Sequence, residues 1–275
     1  MAAVVLIFDF DKTIIDCDSD DWVVAGLGGA ALFEELLPTM PWNSLMDRMM
    51  SELHSQGKTI QDISDCLKTV PLYPETISAI KTAYALGCEL RIVSDANKFF
   101  IETILNQHGL LEYFSEINTN PSFIDEYGKL RILPYHDFHS ASHGCSNPCP
   151  PNMCKGLIIK QIQDLMSSEG KKRIIYIGDG KGDYCASLKL AEEDFMLPRK
   201  NFPVWGLITN NPSLLKAEIH EWIDAVELHK VIIKAINAAL STEDRTSESI
   251  SMDWKYQSVS RLPHEVVPQA LRVPH

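Results

Sequence analysis

The sequence is short of positive charge. It has 25 Lys and Arg residues against 37 Asp and Glu residues, which gives a formal net charge of −12 at pH 7. Nucleic-acid binding depends on clustered Lys and Arg, so this balance argues against a nucleic-acid partner. The same charge repels phosphate groups. A site that handles phosphate here therefore needs local positive charge from a metal ion, a lysine or a helix N-terminus.

Long apolar runs are also missing. The apolar run at Val4–Phe8 is short and has neither a basic segment before it nor a cleavage site of small residues, so we do not expect a signal peptide. Nothing approaches the length of a membrane span, and no membrane partner is expected. Seven cysteines, an odd number, favour a reducing compartment over a disulfide framework. These absences predict a cytoplasmic protein and leave its oligomeric state open.

Strand-like apolar runs alternate with helical segments, except in one long helical stretch near the N-terminus. Val4–Phe8 (VVLIF) is typical of a strand buried on both faces of a parallel sheet. The sequence predicts an α/β fold, with a core of residues 1–15 and 86–240, a helical insertion at 16–85 and a weakly ordered tail at 241–275. Beyond the insertion, the predicted elements are Cys88–Val93, Lys98–Gln107, Phe114–Asn118, Met153–Met166, Arg173–Ile177, Asp183–Leu190 and Ala225–Leu240. Inside the insertion, helices are predicted at 44–53 and at 59–67, with Thr59 as an N-cap.

Two aspartates follow the first strand directly, in the pentapeptide Asp9–Thr13 (DFDKT). Ligands of open α/β sheets bind beyond the carboxyl ends of the strands, so this segment lies where a site belongs. Asp9 and Asp11 can point into one crevice, where they repel each other unless a cation or a shared proton intervenes. Loop aspartates that cap the next helix are the plainer interpretation, but capping alone seldom produces this order of strand, D-x-D-x-T and helix.

Three further polar groups fall at predicted strand or helix ends, in chain order. Ser94 follows a strand and offers a hydroxyl group close to a helix start, which suits a phosphate oxygen. Lys155 lies near the start of a helix and can neutralise both Asp9 and a phosphoryl group. Gly178–Asp183 (GDGKGD) follows another strand and offers two acids for a hard cation. Together the four groups indicate a phosphate-handling site.

The motifs D-F-D-K-T, S-D-A-N, an isolated lysine and G-D-G-x-G-D resemble those of the haloacid dehalogenase (HAD) superfamily of phosphatases. Longer segments, such as P-P-N-M-C-K-G-L-I-I and P-R-K-N-F-P-V-W, resemble the phosphoethanolamine/phosphocholine phosphatase family. Within it they are most similar to the plant branch, described as pyrophosphate-specific phosphatases and thiamine phosphate phosphatase-like proteins. The resemblance covers about residues 4–240 and implies a HAD-type Rossmannoid sheet with residues 16–85 as a helical cap.

The resemblance implies a role for each motif residue. Asp9 matches the nucleophile that forms an aspartyl-phosphate, and Asp11 matches the general acid and base. Mg²⁺ would be bound by Asp9, the backbone carbonyl of Asp11 and Asp179, with Asp183 orienting these groups. The motif serine and lysine would bind the phosphoryl oxygens, as their chemistry also suggests. The implied activity is magnesium-dependent hydrolysis of a small phosphorylated metabolite.

The substrate stays open between three candidates: pyrophosphate, phosphoethanolamine or phosphocholine, and thiamine monophosphate. Asp20 and Asp95 match positions at which the family selects its substrate's head group. Carboxylates there suit an ammonium head, with Trp22 or Trp42 as a cation–π face, although Trp42 is predicted to lie in the core of the insertion. Pyrophosphate would need a second Mg²⁺ between the acids. Asp20 in a solvated acidic loop or helix cap is the plainer interpretation.

Two other functions are compatible with the same fold. A non-catalytic sensor of phosphorylated metabolites would lack a nucleophile or an acid, but every motif residue is present. A phosphotransferase would differ by letting alcohols compete with water for the phosphoryl group.

A run of cysteines and histidine precedes Lys155. His143, Cys145, Cys149 and Cys154 have ligand chemistry that suits a tetrahedral Zn²⁺, with His136 and His139 in reserve. The spacing is irregular and contains no paired C-x-x-C elements. Reduced structural cysteines are therefore the favoured interpretation, and zinc is the alternative.

Overall fold

A computed structural model describes residues 3–167 and 172–241 of the chain. The predicted tail, residues 241–275, lies outside the described residues except for its first position. None of the described helices is both long and apolar enough to cross a membrane.

Six parallel strands form the main sheet, and a separate two-stranded antiparallel hairpin accompanies them in the described part of the chain. The strands are β1 Val4–Phe8, β2 Glu89–Asn97, β3 Glu116–Asn120, β4 Ser122–Ile124, β5 Leu130–Ile132, β6 Arg173–Gly178, β7 Phe195–Pro198 and β8 Glu218–Ile219. Their order in the sheet is β3-β2-β1-β6-β7-β8, with β4 and β5 as the hairpin. All five residues of β1 are buried, which explains why this strand is apolar without alternation. The predicted α/β fold with a parallel sheet is confirmed.

Helices connect the strands, and five of them lie between β1 and β2. These five form the helical insertion that the sequence predicts. The helices are α1 Ser19–Gly26, α2 Ala30–Leu36, α3 Trp42–Ser55, α4 Ile60–Leu67, α5 Pro74–Ala85, α6 Lys98–Gln107, α7 Lys155–Ser167, α8 Lys181–Ser187 and α9 Pro203–Asn210. Residues 225–241 are also helical.

Local capping explains where two of the helices begin. Thr59 Oγ1 accepts a hydrogen bond from the backbone N–H of Asp62 (3.2 Å), and a carboxylate oxygen of Asp62 accepts one from the Thr59 N–H (2.7 Å). This capping box confirms the predicted start of α4. The Asn97 side chain accepts a hydrogen bond from Phe100 N at 3.1 Å and starts α6 in the same way.

The structure differs from the predicted elements at several boundaries. Strand β2 continues through Ser94–Asn97, which the sequence predicts as a loop, and its register against β3 shifts between Val93 and Asn97. Strand β7 and the β4–β5 hairpin were not predicted, because strands of three or four residues carry too little periodicity to be recognised. Helix α8 begins at Lys181 and not at Asp183, so Asp183 lies in its first turn.

The apolar face of α7 fixes the position of its N-terminus on the sheet. Ile158, Ile159 and Ile162 are buried in one cluster with Ile7 of β1 and Ile174 of β6. Burying an aliphatic side chain of this size contributes roughly 1.5–3 kcal/mol relative to leaving it exposed. Lys155, the first residue of α7, is thereby held close to the carboxyl ends of β1 and β6.

Candidate active site

Asp9 and Asp11 lie in the turn that leaves the central strand. The Asp9 N–H donates to the carbonyl of Ile177 at 2.8 Å, so the β1–β6 pairing continues for one residue beyond β1. A carboxylate oxygen of Asp9 accepts from Phe10 N at 2.7 Å, and the side chain is 6% exposed. Lys12 has φ = 54°, a left-handed conformation that turns the chain directly after Asp11. The Asp9 carboxylate is therefore fixed at the end of the sheet.

Lys155 brings the only positive charge that the described residues place in ion-pair contact with Asp9. Its ammonium nitrogen lies 2.7 Å from Asp9 Oδ2 and 2.9 Å from Asp183 Oδ1, and its side chain is 3% exposed. Burial opposes the charged form, but the carboxylates of Asp183 and Asp9 outweigh it and raise the pKa of Lys155 well above its ordinary value. Lys155 is thus a permanent cation beside Asp9.

Asp183 organises the loop after β6. Its Oδ1 accepts from Lys155 Nζ and from the Tyr176 hydroxyl (2.7 Å), and its Oδ2 accepts from the backbone N–H groups of Asp179 (3.0 Å) and Gly180 (2.7 Å). Four donors therefore occupy this one buried carboxylate. A Cβ at Gly178 would lie 2.4 Å from Asp183 Cγ, so only glycine fits there. Sequence analysis missed Tyr176, which reads as one more apolar residue of a buried strand.

Asp9, Asp179 and Asp183 form a carboxylate cluster in which one oxygen from each lies within 4.8 Å of the others. Thr13 Oγ1 donates to Asp179 Oδ1 at 3.2 Å and ties the turn after β1 to the loop after β6. Burial, together with the Asp183 carboxylate, raises the pKa of Asp179 to about 7 and also raises that of Asp9. Three buried carboxylates against one ammonium leave an excess of negative charge. This donor set fits a hard divalent cation.

Asp11 belongs to the same turn but has different partners. Its two carboxylate oxygens accept from the backbone N–H (3.0 Å) and the hydroxyl (3.2 Å) of Ser19, at the start of α1. Burial, then the neighbouring carboxylates of Asp18 and Asp20, raise the pKa of Asp11 well above its ordinary value. The helical insertion thus fixes this carboxyl group and favours its protonated form.

A cavity of about 900 Å³ lies over these groups. Its wall includes Asp9, Asp11, Lys12, Asp18, Asp20, Trp42, Asp95, Ala96, Pro148, Cys149, Pro150, Lys155, Asp179 and Lys181. Of the predicted phosphate ligands, Lys155 lines the cavity. Ser94 is fully buried, its hydroxyl oxygen accepts from Ala96 N at 3.3 Å, and the wall beside it is formed by the two residues that follow.

Asp20 and Trp42 meet inside this wall. Trp42 Nε1 donates to Asp20 Oδ2 at 2.7 Å, whereas Asp20 Oδ1 is buried and has no hydrogen-bond partner in the part of the chain that the structure describes. Trp42 is 38% exposed, so the prediction that it lies in the core of the insertion is wrong. Its hydrogen bond to the acid draws it to the cavity. Trp22 instead donates to Thr69 and lines a separate groove.

The predicted set of zinc-binding side chains is present, but one of its members differs. Cys145, Cys149 and Cys154 lie together with Cys185 of α8, and we call these four residues the cysteine cluster. His143 does not join them: its Nδ1 accepts from Cys145 N at 3.1 Å, and its Nε2 lies 3.1 Å from the Pro150 carbonyl. Cys185 was missed because it is far from the others along the chain.

Comparison with known proteins gives consistent matches across most of the chain. The family model described as Putative Phosphatase matches residues 4–236. Inorganic pyrophosphatase 1 of Arabidopsis thaliana is 56% identical over 96% of this chain and 92% of its own length. Inorganic pyrophosphatase 2 of the same plant is 60% identical, over 88% and 86%. The human phosphoethanolamine/phosphocholine phosphatase is 33% identical, over 81% and 85%.

Solved structures match the fold. A substrate-bound phosphoserine phosphatase complex has a TM-score of 0.56 at 15% identity and covers 84% of this chain and 99% of its own. A HAD family hydrolase from Salmonella enterica has a TM-score of 0.51 at 17% identity, over 74% of this chain and 64% of its own. The predicted HAD-type fold is confirmed.

Proposed function

The chain belongs to the putative phosphatase family, and from this premise we propose that it hydrolyses small phosphorylated compounds by passing the phosphoryl group through Asp9. One observation carries the proposal: the buried Asp9 carboxylate lies 2.7 Å from Lys155 Nζ, on the wall of the cavity. A carboxylate held against a fixed cation at the end of a central strand is placed to attack phosphorus while the charge of the phosphate is neutralised.

The chemistry proceeds in two displacements at phosphorus. A carboxylate oxygen of Asp9 forms a bond to phosphorus as the bond to the leaving oxygen breaks, which gives an aspartyl-phosphate. Asp11 donates a proton to the leaving oxygen and then accepts one from the water that attacks phosphorus. That second attack releases phosphate and restores Asp9. Ser19, with two hydrogen bonds to Asp11, holds this acid and base in place.

The carboxylate cluster fits Mg²⁺, with Asp9, the Asp11 backbone carbonyl and Asp179 as the proposed ligands. The ion would supply positive charge against the phosphoryl oxygens. Asp183 is a positioning residue, because its oxygens already accept four hydrogen bonds. Lys155 is proposed to bind the phosphoryl group, and Ser94 to bind it from within β2, next to Asp95 and Ala96 of the cavity wall.

The helical insertion, residues 16–85, is proposed as the cap of the site. It contributes Asp18, Asp20 and Trp42 to the cavity wall, while the turn after β1, the start of α7 and the loop after β6 contribute the charged groups that handle phosphate. A cap of this kind excludes bulk water and contacts the part of the substrate that is not the transferred group.

Inorganic pyrophosphate is the proposed principal substrate. Two relatives named for this activity are 56% and 60% identical to most of the chain. The cavity carries Lys12 and Lys181 besides Lys155, and these suit a second phosphate group. A cation-headed substrate such as phosphoethanolamine, phosphocholine or thiamine monophosphate is the second candidate. It is favoured by Asp20, whose Oδ2 accepts from the Trp42 indole and whose Oδ1 has no hydrogen-bond partner among the described residues.

A phosphate-release screen tests the proposal. The purified protein is assayed with pyrophosphate, phosphoethanolamine, phosphocholine, thiamine monophosphate and p-nitrophenyl phosphate over a series of Mg²⁺ concentrations. The expected result is the highest kcat/KM with pyrophosphate, and none above background with an Asp9→Asn control. Release of phosphate from none of the five compounds, or equal release by the control, would overturn the proposed function.

A further inference from the structure

A long irregular segment precedes Lys155. Residues 133–154 contain neither helix nor strand, yet they supply Pro148, Cys149 and Pro150 to the cavity wall. Structureless loops longer than about 12–15 residues are uncommon inside compact folds, and ordered ones need something that ties them down. Three cysteines of the cysteine cluster belong to this segment, and the fourth, Cys185, lies in α8.

Four pairs of sulfur atoms in the cysteine cluster are separated by similar distances. The Sγ–Sγ distances are 3.6 Å for Cys145–Cys185, 3.8 Å for Cys145–Cys149, 3.7 Å for Cys149–Cys154 and 3.6 Å for Cys154–Cys185. In a regular tetrahedron with a Zn–S distance of about 2.3 Å, the sulfurs are about 3.8 Å apart. The observed spacing therefore fits a tetrahedral zinc site.

The remaining sulfur pairs exclude a flat arrangement. A planar square with edges of 3.7 Å has diagonals of 1.41 × 3.7 Å, about 5.2 Å, as a square-planar site would require. All pairs in the cluster instead lie within 4.8 Å, so the four atoms are folded towards a tetrahedron. A disulfide is excluded as well, because its S–S bond is about 2.05 Å and all four thiols are free.

The surroundings also match a thiolate–metal site. Cys154 and Cys185 are buried, whereas Cys145 and Cys149 are half-buried, and Cys149 reaches the cavity, which gives an ion a path of entry. Asn147 Nδ2 donates to Cys185 Sγ at 3.3 Å, the kind of polar contact that stabilises charge on a ligating sulfur. A Cβ at Gly156 would lie 2.5 Å from Cys185 Sγ, so the first turn of α7 approaches this sulfur closely.

We propose that Cys145, Cys149, Cys154 and Cys185 bind a structural Zn²⁺ ion that fastens the 133–154 segment to α8. Four sulfur ligands in a closed tetrahedron are the donor set of structural zinc sites. The ion holds Cys154, and with it the adjacent Lys155, against the helix that carries Asp183. It supports one wall of the active site without touching substrate.

Metal analysis of the purified protein tests this site directly. The full chain is expressed without a metal-binding tag, incubated with EDTA and gel-filtered, and its zinc and iron are measured by mass spectrometry. We expect about one zinc per chain, retained after EDTA has removed exchangeable ions. Titration with p-hydroxymercuribenzoate should release this zinc in step with the modification of four thiols. Replacement by Co²⁺ should give sulfur-to-cobalt charge-transfer absorption.

Matched variants assign the ion to these ligands. Cys185→Ser and Cys145→Ser should lower the zinc content at least fivefold. Cys66→Ser, a half-buried cysteine outside the cluster, and Asp179→Asn, in the carboxylate cluster, should leave it at one per chain. If a cluster variant fails to fold, the thiol-linked zinc release of the unaltered protein still decides the question.

Three outcomes would overturn the proposal. The first is a folded protein without zinc whose cluster thiols all react freely. The second is iron in place of zinc. The third is zinc that is lost in Asp179→Asn but kept in Cys185→Ser, which would place it at the carboxylates.

Discussion

The carboxylate cluster and the cysteine cluster are built from neighbouring positions of the same segments. Asp183 and Cys185 both lie in α8, and Cys154 directly precedes Lys155. The carboxylate cluster is in contact with a cation, Lys155, and two of its acids, Asp9 and Asp179, line the cavity. The cysteine cluster has an amide donor, Asn147, and two of its sulfurs are buried. Oxygen ligands suit hard exchangeable ions, and closed sets of thiolates suit zinc. We therefore expect the carboxylate cluster to serve catalysis and the cysteine cluster to stabilise the structure around it.

The largest expected effect is the loss of turnover in Asp9→Asn. An amide is nearly isosteric with a carboxylate but does not attack phosphorus, so kcat with the best substrate should fall at least about a thousandfold. Steady-state phosphate release measures this effect. The circular dichroism spectrum and zinc content should stay unchanged. A variant that kept a tenth of the original activity would show that Asp9 is not the nucleophile.

Metal removal should affect the two clusters differently. EDTA followed by gel filtration should abolish phosphate release while zinc stays bound, and added Mg²⁺ should restore activity. Ca²⁺ should inhibit, because it takes more oxygen ligands at longer distances and draws Asp9 away from attack. The check is activity and zinc content measured on the same sample. Full activity after exhaustive EDTA treatment would contradict a magnesium requirement at the carboxylate cluster.

Cys185→Ser should affect stability more than chemistry. A structural zinc site contributes folding free energy, and losing it should lower Tm by roughly 5–10 °C, which corresponds to about 2–3 kcal/mol in a chain of this size. Differential scanning calorimetry measures the shift, with Cys66→Ser as the control. The kcat should fall only several-fold through looser placement of Lys155. An unchanged Tm would show that the cysteine cluster does not stabilise the fold.

Asp20→Asn and Asp95→Asn should change substrate choice more than rate. Loss of a charge-assisted contact costs about 1.5–3 kcal/mol, so KM for a cation-headed phosphate should rise tenfold or more, while p-nitrophenyl phosphate changes little. With pyrophosphate, the same variants should instead alter the dependence on Mg²⁺. Comparing kcat/KM for the three substrate classes separates these cases. Equal losses on every substrate at every Mg²⁺ concentration would mean that the two acids support catalysis in general.

The smallest effect is expected from removing residues 243–275. Both clusters are complete by Cys185, and the polar composition of this segment predicts little buried apolar surface. The truncated chain should therefore keep its kcat, its zinc and a Tm within a few degrees. Thermal denaturation and the phosphate-release assay provide the comparison. A large loss of soluble protein would show that the segment packs on the core.

Much of the carboxylate cluster could be predicted because its signals are local. The apolar run of β1 identifies a strand buried on both faces, and the position of Asp9 at its end follows from the general location of sites in parallel sheets. The capping box at Thr59 is likewise a short-range pattern. The roles assigned to Asp9, Asp11, Ser94, Lys155, Asp20 and Asp95 remain predictions until the variants are measured.

Contacts between residues of different elements required the tertiary structure. The sequence by itself determined the order in which the motifs follow the strands along the chain, the types of side chain that can bind a metal ion or phosphate, and the excess of negative charge. It did not determine that Cys185 takes the place of His143 beside the other cysteines, or that Tyr176 donates to Asp183. Nor did it determine that Trp42 donates to Asp20 at the cavity wall and does not lie in the core. Periodicity and spacing describe neighbours along a helix or strand. These contacts instead arise where β6, α7 and α8 pack together or, for Trp42 and Asp20, where α3 meets α1 within the insertion. Only that packing decided that one end of the sheet carries two different ligand sets.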